Sequence, residues 1–394
     1  MKIVPANNFF NDILEDVNTL LFFEDDSLSS IDTKLMAVGD ISFSGQIGRN
    51  YKSEKKSPIS KNVINYLNIG DIVISNFETS LVENHENKLY ASEPESINEL
   101  KRAGFNFLHL ANNHIIDFGE ESIHLALESL EKTNIIPIGA GGSMEEAMGL
   151  KVFNANEHKI GIFGCGKTLI PQDSNKKKYW EFNEEELLEK IKEYKPLVNV
   201  LILSLHLGHM YVNYPRPAHR ELVKKFIANG VDIILMHHAH VLQGVEIFPG
   251  NKICFYNLGN FLFDFSEGNV KVELGYQKRE GGICWIDINK NRIQRCGFIP
   301  TFISDDVKVD FAYGQQGIDI LQKMIEYSDN ISNGKFKTLY DFQRSKNNTG
   351  VSIRVFLFHL KKGNFKYIFS MIKQIRYEHI KMIFKFITIK LKGI

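Results

Sequence analysis

The sequence predicts a layered α/β protein with a helical C-terminal extension. Short apolar runs typical of buried strands alternate with longer amphipathic segments typical of helices. Polar residues able to bind metal ions follow several of these apolar runs directly. Working residues of α/β proteins gather at the carboxyl ends of strands, so we expect a sheet that carries a functional site at one edge.

The predicted elements follow one another in order from residue 35. Strands are predicted where apolar residues run together, at Leu35–Val38, Ile72–Ser75, Phe107–Leu110, Ile135–Ile138, Val152–Asn154, Ile160–Phe163, Val198–Leu205, Ile233–Met236, Gly244–Phe248, Lys252–Tyr256, Gly282–Ile288 and Arg292–Ile299. Helices are predicted from amphipathic spacing at Val63–Leu67, Pro94–Ala103, Glu120–Lys132, Met144–Met148, Glu184–Tyr194 and Pro217–Ala228. Gly230 follows the last of these helices as an αL cap. The last strands are predicted to be antiparallel.

The chain divides into three predicted parts. Residues 1–32 are polar and acidic with one amphipathic stretch, and are expected to form an N-terminal extension packed on the main domain. Residues 33–305 hold the alternating strands and helices. Residues 306–394 are predicted to be helical and basic. The lysine-rich segment 167–179 is predicted to be a surface loop.

Composition excludes several classes of protein. The 394 residues contain 47 Lys and Arg against 47 Asp and Glu, which argues against a nucleic-acid-binding protein. The cysteines Cys165, Cys254, Cys284 and Cys296 show no short paired spacing. We expect them to be reduced and structural, which fits a cytoplasmic location. The N-terminus lacks the features of a signal peptide, and no apolar run reaches the about 18 residues of a membrane span.

Single motifs at the strand ends are weak, but the set is informative. Asp40 follows a glycine, and such a pair is more often a simple turn. Asn76 and Glu78 lie two apart and can face one point, although an Asx turn with a solvated glutamate is the plainer interpretation. His206 ends an apolar strand and is by itself compatible with a surface histidine. The cluster of His238 and His240 favours metal binding, because neutral imidazole is a common ligand.

The segment around His114 is the most specific motif. Asn112, Asn113 and His114 follow a strand directly, with Asp117 three residues later. Asn113 offers an amide oxygen to a metal, and His114 is a candidate proton donor to a substrate. Asp117 either orients His114 or caps the following helix. His109, inside the strand, is expected to be an ordinary core histidine.

Two further segments carry weaker signals. The run Gly139-Ala140-Gly141-Gly142 either brings backbone amides to a phosphate or forms a turn, and a turn is the commoner case. The segment 256–264 offers no ligand set and is expected to shape the wall of the site.

Taken in order, these segments resemble the CapA family of bacterial capsule and poly-γ-glutamate synthesis proteins. That family is a branch of the calcineurin-like metallophosphoesterase superfamily. The resemblance covers about residues 33–300 and rests on Gly39-Asp40, Asn76-Phe77-Glu78, Asn112-Asn113-His114 with Asp117 and Gly119, Gly139-Ala140-Gly141, His206-Leu207-Gly208, His238-Ala239-His240 and Leu258-Gly259-Asn260-Phe261.

The resemblance implies a four-layer α/β/β/α sandwich with two divalent metal ions, which would be Mn, Fe or Zn. It implies that Asp40 and His240 hold one ion, that Asn113, His206 and His238 hold the other, and that Glu78 bridges them. The residues expected to contact substrate are Asn76, Asn112, His209 and Asn260. Ser42 stands where the superfamily usually has a histidine ligand, and Glu78 stands where it has an aspartate.

Two functions follow from this resemblance as hypotheses. The first is metal-dependent hydrolysis of a phosphoester in capsule or surface-polysaccharide synthesis, with His114 as proton donor to the leaving oxygen. The second is a non-catalytic or amide-polymer-related component of a capsule synthesis complex. The substrate of the hydrolase in the first hypothesis would be a phosphorylated saccharide or a related small molecule or polymer. Lysines between apolar residues in 360–394 suit peripheral contact with the inner face of a membrane, or helices packed on the domain.

Overall fold

The computed structural model describes residues 1–347, apart from 11–13, 15, 26–30, 85–87, 156–157, 168–177, 265–277 and 290–291. The predicted membrane contact of residues 360–394 and most of the predicted loop 167–179 lie outside these residues. Among the described helices, none is both long and apolar enough to cross a membrane.

Every strand and helix predicted from the sequence is confirmed, with small shifts at the ends. The described strands are β1 (Lys2–Pro5), β2 (Asn18–Glu24), β3 (Thr33–Ile41), β4 (Ile72–Phe77), β5 (Ser80–Leu81), β6 (Ala91–Ser92), β7 (Phe107–His109), β8 (Ile136–Ile138), β9 (Lys151–Ala155), β10 (His158–Gly166), β11 (Val200–His206), β12 (Ile233–His237), β13 (Val245–Phe248), β14 (Lys252–Phe255), β15 (Asn260–Leu262), β16 (Glu280–Asn289), β17 (Arg292–Ile303) and β18 (Val309–Phe311). The described helices are α1 (Asn7–Phe10), α2 (Gly45–Glu54), α3 (Lys61–Leu67), α4 (Glu95–Arg102), α5 (Glu120–Thr133), α6 (Met144–Met148), α7 (Glu184–Tyr194), α8 (Pro217–Ala228) and α9 (Gly314–Ser332). Residues 336–347 are also helical and are called α10.

The strands form two main sheets. The larger has the order β1-β2-β17-β16-β3-β4-β7-β8, with β15 beside β3 and β18 beside β17. The smaller has the order β13-β14-β12-β11-β10-β9. Strands β3, β4, β7 and β8 are parallel, as are β10, β11, β12 and β14. Strands β16 and β17 are antiparallel, as predicted.

The two sheets face each other and helices cover their outer sides. Because side chains of a strand alternate between its two faces, β3 contributes to two cores. Leu35 and Ala37 pack in a cluster with β10, β11, β12 and helices α7 and α8. Met36 and Val38 pack in a second cluster with α3, α4 and α5. The predicted four-layer α/β/β/α arrangement is therefore confirmed.

The N-terminal residues contribute strands that the sequence analysis did not predict. Strand β2 pairs with β17 and so extends the larger sheet. The hydroxyl of Thr19 fixes this edge, since it donates to Phe298 O at 3.0 Å and accepts from Trp285 Nε1 at 2.9 Å. Helix α2 was also missed, although Ile47 and Tyr51 stand four residues apart. The division between an N-terminal extension and a main domain stays a prediction.

The cysteines behave as the sequence analysis predicts. All four are free and buried. Burial raises the pKa of the Cys165 and Cys284 thiols, which keeps them neutral. Within 306–347, the described portion of the C-terminal part, the chain forms the short strand β18 and then helices α9 and α10, while the helices predicted beyond residue 347 lie outside the described residues. Helix α9 is held on the smaller sheet by the Ser328 hydroxyl, which accepts from the backbone N–H of Val245 at 2.9 Å.

Candidate metal centre

The predicted ligands converge at one edge of the two sheets. Asp40 lies near the end of β3, and Glu78 directly follows β4. His206 is the last residue of β11, and His238 follows β12. Because the carboxyl ends of parallel strands point the same way, both facing sheets supply donors to the same place.

Glu78 lies at the centre of this cluster and is fully buried. Its Oε1 lies 3.4 Å from His206 Nε2, 3.5 Å from His240 Nε2 and 3.9 Å from His238 Nδ1. Two groups of ligand atoms share this carboxylate: Glu78 with His206 and His238, and Glu78 with Asp40 and His240. In each group the atoms lie within 4.8 Å of one another. Both groups consist of residues that the resemblance implies as ligands, while the number of ions and a bridging role for Glu78 stay predictions.

Buried atoms without hydrogen-bond partners indicate that a cation belongs here. Within the described residues, neither Glu78 Oε1 nor His238 Nδ1 has a hydrogen-bond partner, although both are buried. Such orphaned polar atoms are costly unless a further group satisfies them. His238 and His240 also have positive φ angles of 91° and 54°. Residues other than glycine rarely adopt such angles, and those that do are often found at functional sites. Carboxylate, imidazole and amide donors of this kind fit divalent transition ions.

Charge in the cluster is balanced between the carboxylates and the imidazoles. Burial favours a neutral Glu78, but the neighbouring imidazoles, that of His240 foremost, outweigh burial and hold the pKa of Glu78 well below its usual range. Burial likewise lowers the pKa of His240, but Glu78 and Asp40 raise that pKa to about 9. Burial lowers the pKa of His206 well below its usual value. His206 is therefore neutral at pH 7, the form that binds metals.

The side chain of Asn76 contacts three of the candidate ligands. Its side-chain amide donates to Asp40 Oδ1 at 2.8 Å and to Glu78 Oε2 at 3.3 Å. The same amide nitrogen lies 3.1 Å from His206 Nδ1, which leaves Nε2 of that ring to face Glu78. Asn76 thus fixes a ligand from each of three strands, and a neutral donor between two carboxylates reduces their repulsion.

Two other amides orient imidazoles. Asn113 Oδ1 lies 2.6 Å from His206 Nε2, so the amide oxygen and the ring nitrogen point at the same space. Asn260 Oδ1 lies 2.9 Å from His240 Nδ1, and its Nδ2 donates to Lys278 O at 2.9 Å. Asn260 contacts Nδ1 of His240 while Nε2 faces Glu78, and a hydrogen bond at the second ring nitrogen fixes the orientation of a metal-binding histidine.

His114 lies beside the cluster with its ring held on two sides. His114 Nδ1 donates to Asp117 Oδ2 at 2.6 Å, because a carboxylate oxygen only accepts. In the described chain Asp117 therefore orients His114, and the N-cap position of α5 is occupied by Gly119. His114 Nε2 then lies 3.9 Å from Glu78 Oε1. The ring of Tyr90 stacks on His114 with 3.7 Å between centroids.

The four residues predicted to contact substrate divide into two kinds. Asn76, Asn112 and Asn260 are buried and bonded to other site residues. Asn112 donates to Phe77 O at 2.8 Å and accepts from the backbone N–H of His114 at 3.1 Å. His209 is less buried, and its Nδ1 is hydrogen-bonded to Tyr340 Oη. The geometry favours positioning roles for the three amides, and substrate contact by any of the four stays a prediction.

The sequence analysis did not single out His237, which also lies at the candidate metal centre. Its Nδ1 lies 3.4 Å from Asp40 Oδ1, and within the described chain neither ring nitrogen forms a hydrogen bond. The ring of His109 lies 6.0 Å away and has one nitrogen bonded to Ala111 O at 3.0 Å. Burial lowers the pKa of His109 to about 3, so it is the neutral core histidine that was predicted. The only sequence signal for His237 was its place in a run of histidines.

Ser42 does not replace the missing histidine ligand. Its hydroxyl donates to Ser44 Oγ at 2.9 Å, inside the loop that leads to α2. The neighbouring backbone is closely packed, since a Cβ on Gly39 would lie 1.9 Å from Gly259 O. This close approach places Asp40 beside Asn260, and the backbone N–H of Asp40 donates to Gly259 O at 3.1 Å.

The glycine run after β8 has a structural role in the described chain. A Cβ on Gly139 would lie 2.6 Å from the Ala111 side chain, and one on Gly141 would lie 2.5 Å from Glu146 Cβ. The run therefore permits close packing, and contact of its backbone amides with a phosphate stays a prediction.

A protein family described as bacterial capsule synthesis protein PGA_cap matches residues 34–265. The chain belongs to this family. It is 27% identical over 274 residues to the capsule biosynthesis protein CapA of Bacillus anthracis, covering 65% of this chain and 66% of that protein. It is 29% identical over 253 residues to the PGA biosynthesis protein CapA of Bacillus subtilis, covering 61% of this chain and 65% of that protein. The chain thus matches slightly less than two thirds of the length of either relative.

Solved structures with a similar arrangement include a phosphatase from Mycoplasma pneumoniae. The TM-score is 0.45 at 17% identity, covering 69% of this chain and 94% of that one. A putative 5′-nucleotidase from Staphylococcus aureus gives a TM-score of 0.45 at 15% identity, covering 75% of this chain and 58% of that one.

Proposed function

We propose that this capsule synthesis family member is a metal-dependent phosphoesterase. The observation that carries the proposal is the position of Glu78, whose carboxylate is shared by two groups of metal-ligand atoms. His114 Nε2 faces the same carboxylate. A cation site with an adjacent, oriented imidazole is what hydrolysis of a phosphoester requires.

The side chains divide between two ions in this proposal. Asp40 and His240 would hold one ion, while Asn113, His206 and His238 would hold the other, with Glu78 common to both. Bound divalent ions would supply activation of a water molecule and neutralisation of charge on the phosphoryl oxygens. Mn, Fe and Zn all suit this mixture of oxygen and nitrogen donors.

His114 supplies the proton for the leaving oxygen. Asp117 holds the proton on Nδ1, so Nε2 is the atom that gives or receives a proton on the side of the cluster. Stacking on Tyr90 prevents the ring from turning away. A positioned general acid contributes typically 10²–10⁴-fold to rate.

The substrate proposed is a phosphorylated saccharide or a related polymer precursor. The support is membership of the capsule synthesis family, together with relatives that are named for capsule and PGA biosynthesis.

The experiment compares two aryl phosphates in the presence of Mn²⁺. Phenyl phosphate releases a phenol with a pKa of about 10, so its leaving oxygen needs a proton, whereas the nitrophenol of 4-nitrophenyl phosphate leaves more readily. We expect His114→Ala to lower kcat on phenyl phosphate by about 100-fold or more, and to have a smaller effect on the nitrophenyl ester. Metal content should stay unchanged.

His124→Ala is the matched control, since His124 is an exposed histidine on α5. It should retain full activity on both esters. Equal turnover of phenyl phosphate by wild type and His114→Ala, or turnover that survives a chelator, would refute the proposal.

A second candidate is a non-catalytic component of a polymer-synthesis complex. The specific observation in its favour is Ser42, whose hydroxyl is engaged with Ser44 and adds no ligand. A relative from Mycobacterium tuberculosis is named a probable polyglutamine synthesis accessory protein, at 21% identity over 214 residues. Elemental analysis separates the candidates, because protein that takes up no metal when refolded or dialysed with Mn²⁺, Fe²⁺ or Zn²⁺ favours the non-catalytic role.

A further inference from the structure

Three aromatic side chains lie together beside the candidate metal centre. Phe263 is fully buried, and its ring centroid lies 4.7 Å from that of His240. Tyr90 and Tyr211 are partly buried, and both pack against Phe263. We call Tyr90, Phe263 and Tyr211 the aromatic cluster. The two tyrosines form its accessible sides, since Phe263 itself is covered.

Each tyrosine of the aromatic cluster lies next to a histidine of the proposed reaction. The ring of Tyr90 stacks on His114 with 3.7 Å between centroids. The ring of Tyr211 lies 6.2 Å from that of His240. Nε2 of His114 lies 3.9 Å from Glu78 Oε1, and Nε2 of His240 lies 3.5 Å from the same oxygen. The aromatic cluster therefore borders the place proposed for the phosphoryl group.

Both tyrosines hold backbone conformations that bulky residues rarely adopt. The φ angle is 54° at Tyr90 and 62° at Tyr211. Nine described residues other than glycine have positive φ, and these two tyrosines together with His238 and His240 are four of them. Such conformations persist where the surrounding structure imposes them, and they concentrate at ligand sites. Their concentration here indicates that the tyrosines belong to the site and do not merely fill space.

Hydrogen bonds hold the backbone of both tyrosines in place. Tyr90 O accepts from Thr79 Oγ1 at 2.9 Å. The backbone N–H of Tyr211 donates to Ala239 O at 2.8 Å, and Tyr211 O accepts from Asn347 Nδ2 at 2.6 Å. Both rings are thus positioned before a ligand binds, which reduces the entropy lost on binding.

Helix α10 and the loop 207–216, which carries Tyr211, form one wall of the site. Tyr340 Oη on this helix is hydrogen-bonded to His209 Nδ1, and the two rings stack with centroids 5.8 Å apart. The bond from Asn347 to Tyr211 O lies one part of the same helix further on. The position of Tyr211 therefore depends on a helix that lies beyond the residues matching the family.

A lysine adds polar character to the aromatic cluster. Lys278 Nζ lies 3.7 Å from the centroid of the Tyr211 ring, and Lys278 O accepts from Asn260 Nδ2 at 2.9 Å. An ammonium group within about 6 Å of a ring face is attracted by the ring quadrupole. A tyrosine likewise combines an apolar ring with a polar hydroxyl. The surface offers apolar faces beside hydrogen-bonding groups, which suits a ligand ring with an apolar face and a polar rim.

The rings of the site are inclined to one another. The plane of Phe263 makes an angle of 56° with that of Tyr90 and 58° with that of His240. A flat ligand stacks best between parallel faces, whereas a puckered ring presents C–H groups in several directions. The inclination favours a saccharide ring, whose C–H groups form an apolar face and whose hydroxyls form a polar rim.

We propose that the aromatic cluster binds the ring of a saccharide whose phosphate lies at the metal centre, with Tyr211 as the main specificity-determining residue. This inference deepens the proposed function and rests on it in placing the phosphoryl group at the cations. It narrows the substrate class to phosphates of cyclic saccharides and disfavours phosphates of open-chain polyols.

The test uses three phosphonates, which the protein cannot hydrolyse because a carbon replaces the bridging oxygen. The ring probe is a methyl glucopyranoside phosphonate, and the open-chain probe is the corresponding glucitol phosphonate. Benzylphosphonate supplies a flat aromatic ring. Dissociation constants are measured by titration calorimetry with Mn²⁺ in the buffer. We expect wild type to bind the ring probe about 10-fold more tightly than the open-chain probe, which corresponds to about 1.4 kcal/mol.

Variants of Tyr211 show whether the aromatic cluster causes this ring advantage. A rigid ring loses less entropy than an open chain wherever it binds, so the advantage must fall when the aromatic side chain is removed. In Tyr211→Leu, which keeps an apolar side chain at the same backbone angle, it should fall below about threefold. Tyr211→Phe keeps the aromatic ring and should retain most of it. Tyr90→Leu should lose part of it, which provides a second measurement if Tyr211→Leu fails to fold.

The matched control is Tyr313→Leu. Tyr313 is an exposed tyrosine at the start of α9, and its ring packs edge-on against Phe311. Its replacement should leave the ring advantage unchanged.

The outcomes separate this inference from the proposed function. A ring advantage that is absent from wild type, or that persists in Tyr211→Leu, overturns the saccharide subsite, as does tighter binding of benzylphosphonate than of the ring probe. Hydrolysis of aryl phosphates without a ring advantage removes the subsite alone. A ring advantage that depends on Tyr211 in a protein without hydrolytic activity keeps the subsite and removes the proposed catalysis.

Discussion

Replacing Asn76 by aspartate tests the network at the centre of the site. The side chain is buried, and its amide donates to Asp40 Oδ1 at 2.8 Å and to Glu78 Oε2 at 3.3 Å. Asn76→Asp has nearly the same shape but places a third carboxyl group against these two. We expect the metal-free variant to lose about 3–5 kcal/mol of unfolding free energy at pH 7.5.

The magnitude follows from two bounds. Losing a hydrogen bond to a charged group costs about 1.5–3 kcal/mol, and Asn76 makes two of them. The new carboxyl group can escape repulsion by staying protonated. Protonating a group with an ordinary pKa of about 3.9 at pH 7.5 costs about 5 kcal/mol, which sets an upper limit. A loss of either size is a large part of the roughly 5–15 kcal/mol free energy of unfolding of a typical domain.

The effect has a defined dependence on pH. Repulsion raises the pKa of the introduced carboxyl group in the folded state, so the folded protein binds more protons than the unfolded one. The variant is then destabilised most above the folded pKa, and the part of the loss that comes from charge disappears as pH falls below about 3.9. Urea unfolding in the presence of a chelator, followed by circular dichroism at several pH values, measures this difference.

The control is Asn154→Asp, which introduces the same change at an exposed position of the edge strand β9. Its stability should change by less than about 0.5 kcal/mol. If Asn76→Asp were as stable as this control in the metal-free state at pH 7.5, the amide of Asn76 would not be the donor that joins Asp40 to Glu78.

Three further predictions concern the same site. Because Glu78 and Asp40 raise the pKa of His240 to about 9, metal binding at pH 7 should release about one proton and should strengthen as pH rises towards 9. Calorimetry with Mn²⁺ in buffers of different ionisation enthalpy measures the released proton. A binding enthalpy that does not depend on the buffer would contradict this prediction. Chelation of the ions should lower the Tm, since ions at 100 times their Kd add about 2.7 kcal/mol to the free energy of unfolding. An unchanged Tm after verified metal removal would contradict this prediction. Gly166→Ala should destabilise the fold, because its Cβ would lie 1.7 Å from Ala111 O. Gly208→Ala should be tolerated, because the atom nearest to its Cβ would be 3.6 Å away. Equal changes in Tm for the two variants would contradict this packing argument.

The positions of the candidate ligands were largely predictable because the signal is local. An apolar run followed by a polar donor marks both the end of a strand and the residue exposed there, as for Ile233–Met236 and His238. Strands of the same direction then place such donors at one edge. The four-layer arrangement and the division of ligands between two ions came from the resemblance to a family, since alternation alone fixes neither.

Other features were not predictable because they depend on contacts between distant segments. Strand β2 pairs with β17, and the hydrogen bond between Thr19 and Phe298 joins residues 279 positions apart in sequence. Helix α10 and the wall it forms with the loop 207–216 depend on the contact of Tyr340 with His209. A local pattern carries no information about such partners.

The sequence by itself determined which residues stand at the strand ends and what donors they offer, because strand length and side-chain alternation are properties of contiguous residues. Only the tertiary structure decided that Glu78 is shared by two ligand groups, that Asn76 joins three ligands and that His237 is buried against Asp40. Each of these depends on the order of the strands and on the facing of two sheets, which bring together atoms from segments that are independent along the chain.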